Sequence, residues 1–595
     1  MGQWEKFIKS HPDLSISVAL FLTVLLFFLP GLFFDVIPMD ISAAVGGGYL
    51  QQPIWENFIF HLKHPASGYY PPLTLLSVIM DHTIWRSDML IGGGRLHNII
   101  LHGGNGVMFF MLLRQLKLRR LNPRHPLSLS LPAVIIAVLC FLFHPQRVES
   151  LLLSVGRQDV QALFCGLAGT LFFIRAYRND KILASIIGAV IYFISFRTAP
   201  LLIALPVVLL AGIWCCTEKA DWRKSLKMLT PYAAVSVFHL CLMAADYAAG
   251  KFSAVSWNEL ILNYIGYFFK TLLPTDIQPM YADLTFDRNS LIMMIVFGMM
   301  VSVTVILSLI RWRYRFVFTA FLLPLLAIYL LIQLPYAGFH TDNGIKFADR
   351  YSYCPSLFIT LAFAVAYEKF ALRRVIWQFV FWAYASLTIL LGCCYLQTWQ
   401  SRESFVNAGL IKGKKSHPLM LKTAALECFY NHDFEQALNF AECAVVESKD
   451  ADRHAAKVLL LALNGMICLE KSDLNGLAMT DLAIADPAWG QLCCRNAQFA
   501  EKVLLKSAAI HQQMGSARNV QYAIKYFQTL ADMAKNDPVK RLSYLAYAAY
   551  LAGDHALAEK LTVQALEKSP DDPVLLKDLA DYRKFKNSPA KAASN

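Results

Sequence analysis

Lys346-Phe-Ala-Asp-Arg-Tyr-Ser-Tyr-Cys-Pro355 closes a polar loop and opens an apolar run. It sets an acid, a base and two phenols (Asp349, Arg350, Tyr351 and Tyr353) at the edge of a hydrocarbon slab, where ionised groups are expensive. Such groups either pair with one another or handle a charged ligand. For Arg350 both readings stand: it stitches outer loops together by pairing with Asp349 or Glu149, or it holds an anion.

The surrounding composition places the motif in a membrane protein. Of 595 residues 56% are hydrophobic and only 16% charged, more apolar than a soluble core needs. The excess is confined to residues up to about 396; the remainder is rich in Ala, Lys, Glu and Asp. The net charge of +13 sits largely in short loops between apolar runs, where it signals orientation. No basic stripe with interleaved aromatics appears, so nucleic acid is not among the expected partners. The thirteen cysteines form no Cys-x-x-Cys and no zinc-like spacing with histidine. A disulfide among Cys428, Cys443, Cys468, Cys493 and Cys494 stays open.

Lys6, Lys9 and His11 precede an apolar run from Leu14 to Phe34 with no small-residue cleavage pattern, which reads as a retained first helix. A long polar loop follows, and Leu73 to Trp85, too short to span and carrying Asp81 and His82, reads as an interfacial helix. Spanning runs recur at 96–114, 131–147, 160–177, 182–196, 199–216, 226–247, 290–310, 315–335, 353–370 and 375–396, making eleven with the first. With the N-terminus cytoplasmic, the inner loops are 114–125, 175–181, 219–227, 311–315 and 369–374, and every one is basic, as the positive-inside rule requires.

The same arrangement puts the first loop (35–94), the segment from His144 to Asp159, the loop 246–289, the Asp349-Arg350 motif and everything beyond 396 on the non-cytoplasmic side. Ionisable groups gather at helix ends instead of mid-membrane, which argues against a transporter. Beyond 396 helical pairs recur at a pitch of about thirty-four residues. In Tyr544 to Pro570, Gly553-Asp554 makes the turn, and Ala546, Ala558 and Ala565 are the small packing positions. Leu421 to Val446 repeats the pattern with Ala425, Ala437 and Ala444, while Ala523, Phe527 and Pro538 suggest a third unit and 476–487 a degenerate fourth. These units resemble tetratricopeptide repeats without the usual Trp. The expected fold is therefore all-α: a polytopic helical membrane domain (1–396), an α-solenoid (397–582) and a disordered tail (583–595).

The order of elements and several motifs resemble the transmembrane and tetratricopeptide-repeat (TMTC-type) glycosyltransferases of the GT-C superfamily and their bacterial relatives. The matching pieces are Pro72-Leu-Thr-Leu-Leu-Ser77 with Asp81; Asn98, His102 and Asn105; His144-Pro145 with Val148-Glu-Ser150; and Gly156-Arg157 with Asp159. Lys270, Pro274 and Tyr281, then Ala348 to Tyr353 with Pro355, and Trp399 complete them. The chain departs from the pattern at Arg147, where a second His is common, at Gln158, where Lys is common, and at Thr198-Ala-Pro200, which lacks a Lys.

The resemblance implies an inverting enzyme that moves a sugar, a hexose such as mannose, from a polyprenyl-phosphate carrier to Ser or Thr hydroxyls of exported proteins held by the repeats. It implies a carboxylate that takes the acceptor proton, Asp40 or Asp35, with Asp40 preferred because it sits further from the helix end and closer to Trp55, where the family's acidic pair lies. It also implies donor-phosphate ligands, assigned to Arg350, Arg157, Lys270 and His144, with Asp349, Tyr351, Glu149, Asp159, Asp81 and His102 in support. The structural reading of His102, on one helix face with Asn98 and Asn105, is interhelical hydrogen bonding. No metal ligands are assigned and no cofactor is certain; a divalent cation stays open, though no dense carboxylate cluster demands one. Two alternatives remain: an inert membrane-anchored scaffold whose repeats gather envelope or secretion partners, and a polymerase or ligase acting on lipid-linked glycans.

Overall fold

In the computed structural model the described residues are 11–35, 72–85, 90–119, 127–153, 156–196, 202–217, 221–248, 253–254, 257–281, 292, 295–296, 299, 339–340, 347–371, 374–410 and 416–586, less a few positions within those ranges. Asp40, Arg197 to Pro200, Cys494, the apolar run 315–335 and nearly all of 290–310 lie outside them. Contacts divide the chain into two units at Gly409, later than the expected boundary at 396. The reason is local: fully buried Trp399 packs edge-on against Tyr395 and Phe405, which keeps 397–409 with the first unit.

The first unit is built from α1 (Pro12–Phe28, extended by a 3-10 turn Leu29–Phe33), α2 (Pro72–Ile84), α3 (Leu90–Gln115), α4 (Leu131–Leu142) and α5 (Arg147–Leu152). It continues with α6 (Arg157–Asn179), α7 (Ile182–Phe196), α8 (Leu205–Cys216), α9 (Trp222–Ala248), α10 (Trp257–Leu272), α11 (Ser356–Phe370), α12 (Val375–Gln397) and α13 (Arg402–Gly409). Two short antiparallel ladders, 117–118 with 127–128 and 253–254 with 339–340, are the only strands among the described residues.

Five segments among the described residues are long and apolar enough to cross a bilayer: Pro12–Phe33, Gly92–Gln115, Arg157–Asn179, Trp222–Leu242 and Val375–Gln397. Three shorter apolar helices, Leu131–Leu142, Ile182–Ser195 and Leu205–Cys216, accompany them. Their surfaces are what a bilayer selects. On α1, Leu14, Val18, Leu22 and Leu26 recur every fourth residue as an exposed stripe, while Leu20, Val24 and Phe28 face inward. Leu183, Ile187 and Val190 on α7, and Ile376, Val380, Leu387 and Leu390 on α12, are exposed in the same way. Contiguous apolar area of this kind belongs against lipid. The chain is a membrane protein.

Helices close together where side chains are small. Gly169 of α6 and Gly188 of α7 face one another, so that a Cβ on Gly188 would lie 3.1 Å from the Gly169 carbonyl and collide with the Tyr232 hydroxyl. That hydroxyl donates to the Gly169 oxygen at 2.7 Å, and Ser185 donates to the Met228 carbonyl at 2.6 Å, binding α9 to the pair. Gly188→Leu is expected to lower stability by about 1–3 kcal/mol through overpacking. A thermal melt in detergent identical to that of the parent would refute the close approach.

The two ends of the first unit differ chemically. At one end Arg114 meets Asp13 at 3.1 Å, Arg178 donates to Gln115 at 2.9 Å, Lys227 approaches Asp180 at 3.7 Å and Lys224 covers the Tyr177 ring at 5.1 Å. The opposite helix ends carry the His144–Asp159 and Asp349–Tyr353 segments.

The second unit is a run of antiparallel neighbours: α14 (Pro418–Tyr430), α15 (Phe434–Glu447), α16 (Asp450–Glu470), α17 (Asn475–Ala485), α18 (Ala497–Met514), α19 (Ala517–Met533), α20 (Pro538–Leu551), α21 (His555–Lys568) and α22 (Pro573–Lys586). Asp433, Ser516, Asp537 and Asp554 each cap a helix by accepting from an amide two or three residues on. Gly553, at φ 82°, takes the left-handed turn between α20 and α21. Ala425, Ala437, Ala444, Ala546, Ala558 and Ala565 are all fully buried or nearly so at the helix contacts, as the small-residue pattern predicts. The final helix runs past the expected start of the tail at 583, held by Arg583 on Glu559 at 2.8 Å. Cys428, Cys443, Cys468 and Cys493 are unbridged.

Candidate functional site

A buried 3-10 turn, Asp349–Ser352, carries the acid and base of the Lys346–Pro355 stretch. It packs on α5, a helix of six residues, all of them buried. Glu149 of α5 receives both the Arg350 guanidinium and the Arg350 amide, the latter at 3.1 Å. Arg350 also donates to the Tyr351 hydroxyl at 3.3 Å and lies 4.7 Å from that ring. Of the pairings open to Arg350, the structure takes Glu149. Burial alone would lower the guanidinium's affinity for its proton, but Tyr351, Glu149 and Asp159 raise it above the usual value, so the group is cationic.

Asp349 turns the other way. Its carboxylate accepts from the Tyr281 hydroxyl at 2.9 and 3.0 Å and from the Gln146 amide at 3.2 Å. Gln146 in turn accepts from Thr271 at 3.0 Å, and His144 Nε2 donates to the Thr271 carbonyl at 3.2 Å. His144 Nδ1 accepts from the Gln146 amide at 3.3 Å, and burial pushes the imidazole down to about 3. His144 is thus a neutral ring with both nitrogens engaged. Lys270 sits 4.3 Å from the Tyr281 ring centre.

Burial, then repulsion from Glu149, lifts Asp349 from the ordinary 3.8 to about 7, against the pull of Lys270, Tyr281 and Gln146. Between 3.8 and about 7 the folded chain holds a proton on Asp349 that the unfolded chain has released. Stability therefore falls as pH rises through that window. In Asp349→Asn the limb should flatten. Melting at pH 5, 6, 7 and 8 checks it, and equal slopes in parent and variant would remove Asp349 as the cause.

Arg157 opens α6 and forms a second buried centre. It reaches Asp81 at 2.5 Å, Asn98 at 2.7 Å, the Gly94 carbonyl at 2.8 Å and Ser77 at 3.2 Å. Asp81 also receives His97 at 3.2 Å, so this centre fastens α2 to α3 and α6. His102 lies deeper in the bundle. Its Nε2 donates to the Leu142 carbonyl at 2.9 Å, leaving Nδ1 to accept from the Tyr353 hydroxyl at 2.6 Å. Asn105 donates to the same hydroxyl at 3.1 Å. Asp159 is fully buried, and its carbonyl faces the Cys354 thiol.

Asp35 stands apart as an exposed residue lining a pocket with Pro30, Phe33, Phe34, Gln400 and Ser401. Its main chain is nonetheless connected to the rest through α5. The last carbonyls of a helix lack internal partners. Here Leu151 and Leu153 accept from Asn98 at 3.1 and 3.2 Å, and Leu152 accepts from Arg95 at 3.1 Å. Asn98 continues to Arg157, Arg95 continues to Asp35 at 2.9 Å, and Glu149 continues to Arg350. One short helix joins all three groups.

Sequence reasoning passed over Arg95, Gln146 and Ser352. The signal for Arg95 was present: an arginine at the head of a spanning run has to be satisfied by something. It also passed over Arg147 as more than a departure. Arg147 is fully buried, donates to Ser352 at 2.9 Å and lies 5.0 Å from the Tyr353 ring centre, while its Nε and Nη1 meet no hydrogen-bond partner among the described residues. Burial lowers this guanidinium to about 10, still charged at neutral pH. No group of three or more His, Cys, Asp or Glu suited to a metal ion occurs among the described residues. Compared with protein-family models, with curated proteins and with solved structures, the chain matches none.

Proposed function

We propose that the chain is a TMTC-like GT-C glycosyltransferase with about eleven membrane spans, a cytoplasmic N-terminus and a non-cytoplasmic tetratricopeptide-like solenoid. One observation carries the reading: the two most specific motifs of the resemblance, 201 residues apart at Glu149 and Arg350, meet in one buried polar cluster at one end of the membrane helices. The other end carries Arg114, Arg178, Lys224 and Lys227, and every inner loop read from the sequence is basic, which supports the orientation.

In this reading the acceptor Ser or Thr oxygen attacks the anomeric carbon of a hexose such as mannose. Its proton passes to Asp35 or Asp40, and the bond from the anomeric carbon to phosphate breaks with its electrons left on the polyprenyl phosphate. General-base help of this kind is worth about 10²- to 10⁴-fold. Arg147 has two donors to offer the developing charge, each worth about 3–4 kcal/mol when preorganised. Arg157, engaged by Asp81 and neutral oxygens, and Arg350, held by Glu149 and Tyr351 with its Nε meeting no hydrogen-bond partner among the described residues, hold the loops and act through their field. Lys270 and His144 belong to the Asp349 side of the same cluster.

The pairing of Arg350 with Glu149 and of Arg157 with Asp81 is also what favours the second reading, an inert membrane scaffold whose repeats gather exported partners. Purified chain in vesicles, supplied with polyprenyl-phosphate mannose or glucose and Ser/Thr peptides, separates them. Transfer by the parent that falls at least tenfold in Arg147→Met supports the enzyme. Absence of transfer from either donor, with peptides still bound, supports the scaffold.

A further inference from the structure

Arg95 is 2% exposed at the head of α3, and its guanidinium reaches main-chain oxygens of two other segments. Nη1 donates to Gly31 at 3.0 Å and to Phe34 at 2.8 Å, Nη2 to Asp35 at 2.9 Å and Nε to Leu152 at 3.1 Å. The first three acceptors belong to the turn that ends α1, where carbonyls are orphaned and a positive charge is favoured. Asp35 is held from its other side as well, its amide donating to the Gln400 carbonyl at 3.1 Å. The approach is close: a Cβ on Gly92 would lie 2.8 Å from the Leu32 oxygen. The peptide of Asp35 is thus pinned at both ends while its side chain stays exposed at a pocket walled by Pro30, Phe33, Phe34, Gln400 and Ser401. A helix needing only a cap would be served by one donor; a five-donor planar fork spread over four carbonyls fixes a direction.

We propose that Arg95 is the positioning residue that aims the Asp35 carboxylate into this pocket, where it takes the proton of the acceptor hydroxyl. The claim rests on the glycosyl-transfer reading and chooses Asp35 over Asp40 as the proton acceptor. A misplacement of about 1 Å in a reacting group costs on the order of 10²-fold in rate. Lysine keeps the charge but not the fork, so it restores only part of the geometry.

The test compares parent, Arg95→Gln, Arg95→Lys and Asp35→Asn in vesicles with polyprenyl-phosphate mannose or glucose, whichever the parent uses, and a Ser/Thr peptide, alongside hydrogen exchange of residues 29–35. The expected result is a fall in kcat of about 10²-fold in Arg95→Gln with donor KM unchanged, partial recovery in Arg95→Lys, and comparable loss in Asp35→Asn. Exchange at 29–35 should rise in Arg95→Gln while peptides from α4 and α6 stay as in the parent. Exchange that does not rise overturns the clamp. Rapid exchange with kcat unchanged, or transfer that survives Asp35→Asn, overturns the positioning role and leaves glycosyl transfer standing. If Arg95→Gln is lost from the membrane, the milder Arg95→Lys and Asp35→Asn decide by the same readouts. Absence of transfer by the parent overturns the functional reading and the catalytic use of Asp35, while exchange still decides the clamp.

Discussion

Glu149→Ala is expected to cost the membrane unit about 3–5 kcal/mol, because it leaves the Arg350 guanidinium buried without its carboxylate. The loss is large for two reasons. Glu149 also accepts the Arg350 amide, so the 3-10 turn loses a main-chain anchor together with the ion pair. Among the described residues Arg350 pairs with no second carboxylate, since Asp349 is committed to Tyr281 and Gln146. Removing both charges behaves differently: Glu149→Leu with Arg350→Met abolishes the uncompensated ion and should recover most of the stability. Denaturation of the solubilised protein measures both, and a double variant no better than the single would contradict the pairing account. Transfer by the recovered double variant then separates a loop fastener, which tolerates the change, from a group whose field the reaction needs, which does not.

Asp81→Ala should cost a similar amount, about 3–5 kcal/mol, by stranding Arg157 at 1% exposure. Here the effect is also directional. Arg157 touches Asp81 and Ser77 of α2, Asn98 and Gly94 of α3, and roots in α6, so losing the carboxylate loosens α2 from the bundle. Among the ties that stay, Arg157 to Ser77 and Thr74 to Gln161, both at 3.2 Å, pair no opposite charges. Ser77→Cys should therefore become reactive to a water-soluble maleimide in the Asp81→Ala background and stay protected in the parent. Equal labelling in the two would contradict the role assigned to Asp81.

Much of the helical arrangement is legible in the sequence because hydropathy and loop charge act locally. The apolar character of α1, α7 and α12 follows from composition alone, and the buried alanines of the second unit follow from residue spacing, whereas which face of an all-apolar helix stays exposed does not. Length is less legible. The run 131–147 yields a helix that stops at Leu142, because Phe143 to Gln146 turn the chain toward Thr271 and Asp349. The candidate site is legible as a list of residues and illegible as a set of partners. Nothing local tells Arg350 to choose Glu149 over Asp349, or tells Arg157 to choose Asp81, which lies in another helix. The clamp on Asp35 is harder still, because its acceptors are main-chain oxygens that carry no signature in the sequence.

The central claim, that this membrane protein transfers sugar to exported proteins, is met most directly by intact-mass analysis of exported proteins. Cells carry the parent chain, Asp35→Ala, Asp40→Ala or Arg350→Ala at matched membrane levels. The account predicts a hexose-sized mass increment with the parent that disappears in Asp35→Ala. Identical masses across the parent and all three variants, with exported proteins still captured by the repeats, would contradict it.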